Sequence, residues 1–195
     1  MKSNLQLHNR ILFYLLPLWF VITCSNGKNS NTRQDATLSQ KKALEEIDLI
    51  NQYFSKEVKK DSIVLLSQPY NLQATDCLEE VIKDLPKSKF TLEDFTSHAA
   101  KDTLEWSAHA HLSVKLLPVG KLPGRNDPAK WNDLFRSIDG GYFQLSHVLF
   151  TKDLKSAIMH VEFSCGDRCG QEMTLLFQKS DKQWILKKRY CLKVS

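Results

Sequence analysis

The sequence predicts an α+β domain in which N-terminal helices pack on a C-terminal antiparallel sheet. Apolar residues recur with a helical period in the first half of the chain, and they alternate with polar residues over residues 142–195. The chain has 195 residues, of which 42% are hydrophobic and 25% charged, the balance of an ordinary globular protein. This composition excludes a disordered, collagen-like or low-complexity chain.

The N-terminus has the organisation of an export signal. Lys2 and Arg10 are basic, no acidic residue precedes Cys24, and residues 11–22 are almost wholly apolar. A membrane-spanning helix needs about 20 apolar residues, whereas this shorter run is typical of the core of a signal peptide. We therefore predict a signal peptide over residues 1–23.

The residues that end the apolar run, Val21-Ile22-Thr23-Cys24, resemble a bacterial lipobox. The resemblance implies a lipoprotein in which Cys24 is the lipid attachment site and the first residue of the mature chain. An ordinary cleaved signal with an incidental cysteine and an uncleaved short anchor are the alternatives. Ser25, rather than an aspartate, follows the cysteine. In lipoproteins this implies sorting to the outer membrane.

Residues 24–37 are predicted to be a flexible polar tether, followed by a single domain over residues 38–195. The capping-box spacing of Thr37 and Gln40, with apolar periodicity behind it, predicts a helix over residues 38–59. Without its signal peptide the chain loses two basic residues, and its net charge becomes +5 − 2 = +3. A net positive charge this small does not indicate binding to nucleic acid.

The middle of the chain combines capping residues, prolines and short apolar runs. These signals predict a buried strand, three helices, a half-exposed strand and a loop. In chain order they are the strand 62–66, the helix 77–85 between Asp76 and Pro86, the helix 92–102, the strand 109–116, the loop 118–127, and a short helix capped by Asp127 with Pro128 at its first position.

Residues 142–195 are predicted to form a four-strand antiparallel meander. Turns are expected at Lys152-Asp153, at Cys165–Gly170 and at residues 180–182. The apolar residues predicted to share the inner face are Phe143, Leu145, Leu149, Ala157, Met159, Val161, Phe163, Met173, Leu175, Phe177, Trp184, Leu186, Tyr190 and Leu192.

A set of spaced residues between positions 128 and 195 carries a resemblance. It consists of Trp131, Phe135, Gly140-Gly141, Ser146-x-Val148-x-Phe150, Asp153, Ala157, Cys165-Gly166-x-x-Cys169-Gly170, Trp184 and Ser195. This pattern resembles a family of uncharacterised bacterial secreted and lipid-anchored proteins with a C-G-x-x-C-G connection in a four-strand C-terminal region. The resemblance implies a fold and an envelope location, and it implies no activity.

Four cysteines remain besides Cys24, and an even number in an exported protein favours disulfides over free thiols. Three pairings are possible. The local pair Cys165–Cys169 is favoured because the flanking glycines permit a tight turn, and Cys77–Cys191 would then join the second helix to the last strand. A metal site is disfavoured because no further ligand neighbours the Cys-x3-Cys pair, and its spacing differs from the Cys-x-x-Cys of redox proteins.

Two histidines in the predicted strand 109–116, His109 and His111, would lie on one face and could bind a single metal ion. No third ligand neighbours them in the sequence. A solvent-exposed strand face accounts for both residues, so we predict no metal site.

Further candidate ligand-binding residues fall on the predicted meander. His147 lies on an apolar face, where a lone histidine is usually hydrogen-bonded and structural. His160 and Glu162 share the outer face of one strand, and Lys187 and Arg189 share the outer face of another. Surface ion pairs between neighbouring strands would account for the last four. The alternative is a small polar ligand site that uses His147, His160, Glu162 and Arg189.

Catalytic motifs are missing from the sequence, which contains no G-x-S-x-G, P-loop, H-E-x-x-H or G-x-G-x-x-G pattern. We therefore expect a non-catalytic binding or interaction domain in the bacterial cell envelope, anchored in the outer membrane on its periplasmic or surface face. Its expected partners are the membrane, through the lipid, and an envelope protein or small ligand. No cofactor and no nucleic acid are expected. The alternative is a hydrolase-like envelope enzyme with a site around His147 or His160.

Overall fold

A computed structural model describes residues 29–58, 62–72, 76–85, 104–106, 111–166 and 169–195, with side chains from residue 37 onward except that of Asp76. The helices are α1 (Asn29–Glu57), α2 (Asp76–Lys83) and α3 (Pro128–Ser137), with a 3-10 turn at Val119–Lys121. The strands are β1 (Val64–Leu66), β2 (Lys115–Leu117), β3 (Tyr142–Leu145), β4 (Leu149–Phe150), β5 (Ser156–Ser164), β6 (Gly170–Ser180) and β7 (Gln183–Val194).

The strands form one seven-stranded sheet in the order β2-β1-β3-β5-β6-β7, with β4 also paired to β5. The α+β class and the C-terminal meander are therefore confirmed. The sheet is mixed rather than wholly antiparallel, because β1 pairs in parallel with both β2 and β3. Long helix-containing connections join these three strands, and such connections permit parallel pairing.

Helix α1 covers one face of the sheet. Its residues Leu49, Ile50, Tyr53 and Phe54 are buried in a core cluster with sheet residues from β1 and β3 to β7. The helix begins at Asn29, nine residues before its predicted start at residue 38. Thr37 lies inside the helix rather than at its end, and no proline or glycine interrupts residues 29–57. Part of the predicted tether is therefore helical.

Two separate apolar clusters cover the other face of the sheet. One lies under α2 and includes Ile158 and Leu176. The second combines Leu66 and Leu117 with Ile138 and other residues around α3. The outer face of β5, which was predicted to be exposed, is thus largely buried.

Irregularities in the strands reverse the face of several residues. Leu149 joins the cluster under α2 instead of the α1 face, because residues 146–148 separate β3 from β4. In β7 the register shifts between Leu186 and Lys188, which places one extra residue, Lys187, in that strand. The side chain of Tyr190 therefore faces α2, whereas strict alternation with Trp184 predicted the opposite face.

The predicted strand over residues 109–116 is wrong in extent, since β2 spans only Lys115–Leu117. The Asn51 side chain of α1 donates to the His111 carbonyl and accepts from the Ser113 backbone N–H. A β-strand over these residues would need the same carbonyl and N–H groups for hydrogen bonds to a neighbouring strand. His111 is exposed in a turn, and His109 lies outside the described residues.

Other expectations are confirmed. Asp127 caps α3 by accepting from the Lys130 N–H at 3.1 Å. The cysteines form disulfides Cys77–Cys191 and Cys165–Cys169, with Cα–Cα distances of 5.8 and 5.0 Å.

Some predictions lie outside the described residues. They are the signal peptide over residues 1–23, Cys24 and the helix 92–102. Among the helices that are described, none is both long enough and apolar enough to cross a membrane.

Candidate ligand-binding site

A row of polar side chains crosses four adjacent strands on the sheet face opposite α1. Gln144, Glu162, Glu172 and Lys193 are successive register partners on β3, β5, β6 and β7, so they share that face. None of the four belongs to either apolar cluster of the face. We call these four residues the polar row.

The polar row contains an uncompensated negative charge. Glu162 and Glu172 lie directly opposite each other on neighbouring antiparallel strands, an arrangement in which like charges are destabilising. Lys193 Nζ is 3.5 Å from Glu172 Oε1 and is the cation of the row. Burial, and then the Glu172 carboxylate, raise the pKa of Glu162. The row therefore favours an additional cation or a proton.

His160 lies beside the polar row and is almost completely enclosed, with 1% of its surface exposed. Its Nδ1 is 3.1 Å from Thr174 Oγ1. Its Nε2 makes no hydrogen bond with any described residue and is 3.7 Å from Glu172 Oε1. Burial lowers the pKa of His160, against the smaller opposing effect of Glu172. A neutral imidazole thus directs an unsatisfied ring nitrogen toward the row.

Tyr70 covers this histidine. The two rings are stacked with their centroids 4.2 Å apart. The backbone of Tyr70 is held by its N–H, which donates to the Leu145 carbonyl at 2.7 Å. Burial and the nearby carboxylates of Glu172 and Glu162 raise the pKa of Tyr70, so its hydroxyl stays protonated. Tyr70 therefore forms an aromatic wall next to the two glutamates.

Sequence reasoning identified His160 and Glu162 but missed Glu172 and Tyr70. The position of Glu172 could have been found from the predicted turn at Cys165–Gly170, because a tight hairpin there pairs residue 162 with residue 172. No comparable signal identifies Tyr70, which reaches the site from a segment far away in the sequence.

His147 lies on the opposite face and does not contribute to the polar row. Its Nδ1 is 3.1 Å from Glu46 Oε1 of α1, and its Nε2 is 3.0 Å from the Leu104 carbonyl oxygen. The same Glu46 oxygen accepts from the Val148 N–H at 2.6 Å. The ring also packs against Trp106 at 4.5 Å. His147 therefore links α1 to the irregular segment between β3 and β4, as a structural histidine.

Arg189 is also separate from the polar row, so the predicted grouping of His147, His160, Glu162 and Arg189 is wrong. Strand β6 lies between β5 and β7. The Arg189 guanidinium is 2.7 Å from Glu57 Oε2 of α1, and the extra residue in β7 directs it to that face. Of the four predicted residues, the structure brings together His160 and Glu162.

The order of Thr174, His160 and Glu172 is that of a hydroxyl, an imidazole and a carboxylate in a nucleophilic triad. Thr174 has 0% exposed surface, however, so its hydroxyl cannot reach a substrate in this conformation. Within the described part of the chain, no three His, Cys, Asp or Glu side chains are placed to hold a metal ion.

Comparisons of the chain with protein-family models, curated proteins and solved structures found no match.

Proposed function

We propose that this chain is a lipid-anchored protein of the bacterial cell envelope whose domain binds a ligand at the polar row without transforming it. The ligand is a small molecule or a segment of an envelope protein. The observation that carries the binding role is the His160 Nε2 atom, which is buried without a hydrogen-bond partner among the described residues and lies 3.7 Å from the Glu172 carboxylate. Unsatisfied buried polar atoms are rare in folded proteins and are common where a partner completes the site.

The disulfides support export. The four cysteines Cys77, Cys165, Cys169 and Cys191 are all paired, and paired cysteines persist in oxidising compartments such as the periplasm. The apolar run over residues 11–22, which ends near Cys24, supports attachment through a lipid. The Ser25 that follows Cys24 supports the outer membrane as the final location.

Mass spectrometry of the protein from native membranes tests the anchor. Thiols are alkylated before reduction, and we expect a diacylated N-terminal Cys24 together with a linked Cys165–Cys169 peptide. A Cys24→Ala variant is the matched control, because it keeps the disulfides but cannot carry the lipid. An intact N-terminus with alkylated thiols at Cys77 and Cys191 would contradict the proposed location.

An NMR fragment screen tests the binding role on the full-length chain in a non-ionic detergent. We expect some fragments to shift signals of Glu162, Glu172 and Tyr70 while leaving those of exposed Asp133 on α3 unchanged. Hits confined to other surfaces would contradict a site at the polar row. Turnover of ester, amide or glycoside substrates that disappeared in a folded Glu172→Gln variant would replace the binding role with catalysis.

A further inference from the structure

We infer that the Cys165–Cys169 disulfide is a reversible exchange site, which a dithiol of the cell envelope reduces without unfolding the domain. The bond lies in the connection between β5 and β6, where Cys169 is exposed and Cys165 is half-buried. Accessible disulfides are the ones that exchange with external thiols. The Cys-x3-Cys spacing is not that of catalytic oxidoreductases, so the site is a substrate of exchange rather than its catalyst.

The second disulfide of the described residues provides an internal contrast. Cys77 is 5% exposed on α2, and Cys191 packs against the apolar cluster under that helix. An external thiol therefore reaches this bond only after α2 has moved away from the sheet. The bond joins residues 114 positions apart, whereas Cys165 and Cys169 are 4 positions apart. Breaking the short link therefore leaves the covalent connection between α2 and β7 in place.

Backbone hydrogen bonds hold the two cysteines of the hairpin together whether or not their sulfur atoms are bonded. The Cys165 N–H donates to the Cys169 carbonyl at 2.9 Å, and the Cys169 N–H donates to the Gly166 carbonyl at 3.3 Å. Gly166 has a φ angle of 129°, which glycine adopts without strain. The two thiols of the reduced form therefore stay within the distance that a disulfide requires, and the bond can form again.

The reduced form also has a hydrogen-bond acceptor for one of its new thiols. The Cys165 Sγ atom lies 2.8 Å from the Cys169 carbonyl oxygen. A disulfide sulfur has no hydrogen to donate, whereas a thiol is a weak donor, and a carbonyl oxygen has two lone pairs. Reduction thus places a donor beside an acceptor that is already in position, which favours the reduced state.

The exchange takes place in two steps. A thiolate of the dithiol attacks the sulfur of Cys169, the more exposed residue of the pair, and Cys165 leaves as a thiolate that takes up a proton. The second thiolate of the dithiol then attacks the reductant sulfur of this mixed disulfide and releases Cys169, which is protonated in turn. The protein gains two electrons and two protons, and the dithiol becomes a disulfide.

Reduction acts on the end of the sheet that carries the polar row. Ser164 pairs with Gly170 next to the disulfide, and Glu162 pairs with Glu172 further along the same two strands. Loss of the covalent link removes a constraint on the separation of β5 and β6 at this end, so the two glutamates are held less firmly opposite each other. The redox state thereby regulates the polar row, a consequence that rests on the binding role proposed above.

Timed reduction of the full-length chain in a non-ionic detergent tests the exchange site. Dithiothreitol is added under native conditions, thiols are alkylated at intervals, and mass spectrometry follows each cysteine pair. We expect Cys165 and Cys169 to be reduced at least about 10-fold faster than Cys77 and Cys191, because only the buried pair needs local opening. In denaturing urea, where burial no longer protects either bond, the two rates should converge.

A variant with Cys165→Ser and Cys169→Ser is the matched control, and it should lose the fast phase of reduction. Far-UV circular dichroism of the wild type should stay constant during that phase, and oxidised glutathione should restore the bond afterwards. Equal native rates for the two pairs, loss of circular dichroism at the rate of the fast phase, or failure to re-oxidise would overturn the exchange site.

NMR spectra recorded before and after the fast phase test the regulation of the polar row separately. Backbone amide signals of Glu162 and Glu172 should shift on reduction, and that of Asp133 on α3 should not. Unchanged glutamate signals in a fully reduced hairpin would overturn the regulation, while the exchange site and the proposed binding role would both stand.

Discussion

Removal of the disulfide between Cys77 and Cys191 is expected to destabilise the domain far more than removal of the one between Cys165 and Cys169. The two bonds close segments with sequence separations of 114 and 4. In the chain-entropy description, the stabilisation grows with the logarithm of loop length. It amounts to about 4.8 kcal/mol for the long loop and about 1.9 kcal/mol for the short one at 25 °C.

The burial of Cys77 should also make loss of its disulfide more destabilising than loss of the Cys165–Cys169 disulfide. This residue is buried on α2, in contrast to the exposed Cys169 of the hairpin. Substitution of Cys77 by alanine leaves a small cavity, which adds to the loss of chain constraint. The difference between the two paired-alanine variants should therefore be at least about 3 kcal/mol.

Urea unfolding under non-reducing conditions, followed by tryptophan fluorescence, measures this difference. The two variants are Cys77→Ala with Cys191→Ala, and Cys165→Ala with Cys169→Ala. We expect the first to shift the unfolding midpoint two to three times as far as the second, as the ratio of the loop terms requires (about 2.5). An equal or larger loss in the hairpin variant would refute the reasoning from loop length.

Other perturbations have equally definite expected outcomes. Glu46→Ala should cost about 1–3 kcal/mol in urea unfolding, because it removes the buried carboxylate that accepts from the Val148 N–H and contacts His147 Nδ1. Leu49→Ala should cost about 2–5 kcal/mol, because Leu49 is 0% exposed. On the same helix Leu44→Ala should change stability by less than about 0.5 kcal/mol, because Leu44 is 60% exposed. Burial holds the pKa of His160 below its ordinary 6.5, so the unfolded chain binds more protons near that pH. The free energy of unfolding should then fall as the pH decreases below about 6.5, and a slope unchanged in His160→Gln would contradict this. Glu162→Gln should raise stability at pH 7 by about 0.5–1 kcal/mol by removing a like-charge pair. Because the raised pKa of Glu162 favours its protonated form in the folded state, that gain should shrink as the pH falls, as paired urea titrations would show.

Local signals predicted several elements well because their causes are local. The aspartate that caps α3 supplies an acceptor for a free N–H, the proline at its first position supplies a preset φ angle, and both act within one turn of helix. The hairpin turn of Ser180 to Lys182 and the disulfide of the Cys165 turn are likewise decided by adjacent residues. Alternation placed the inner face of β5 and of β6 correctly, because those strands are regular over the relevant residues.

Alternation failed where the backbone departs from a regular strand. One extra residue at Lys187 reverses the side chains that follow it as far as Tyr190, and so it separates Arg189 from the face on which it was expected. A second register shift, between Tyr190 and Lys193, restores the original alternation. The break between β3 and β4 similarly transfers Leu149 to the cluster under α2. A bulge depends on how two strands pair, and no single strand encodes it.

The sequence by itself determined the fold class, the C-terminal meander, the local disulfide and the capped helix α3. It also indicated that His160 and Glu162 share one strand face, since residues two apart on a strand must do so. Only the tertiary structure decided that this face is covered by α2 and Tyr70 and that His147 belongs to the other face. These relations depend on contacts between distant segments, and burial changes the charge and hydrogen-bonding state of a side chain only after those segments have packed.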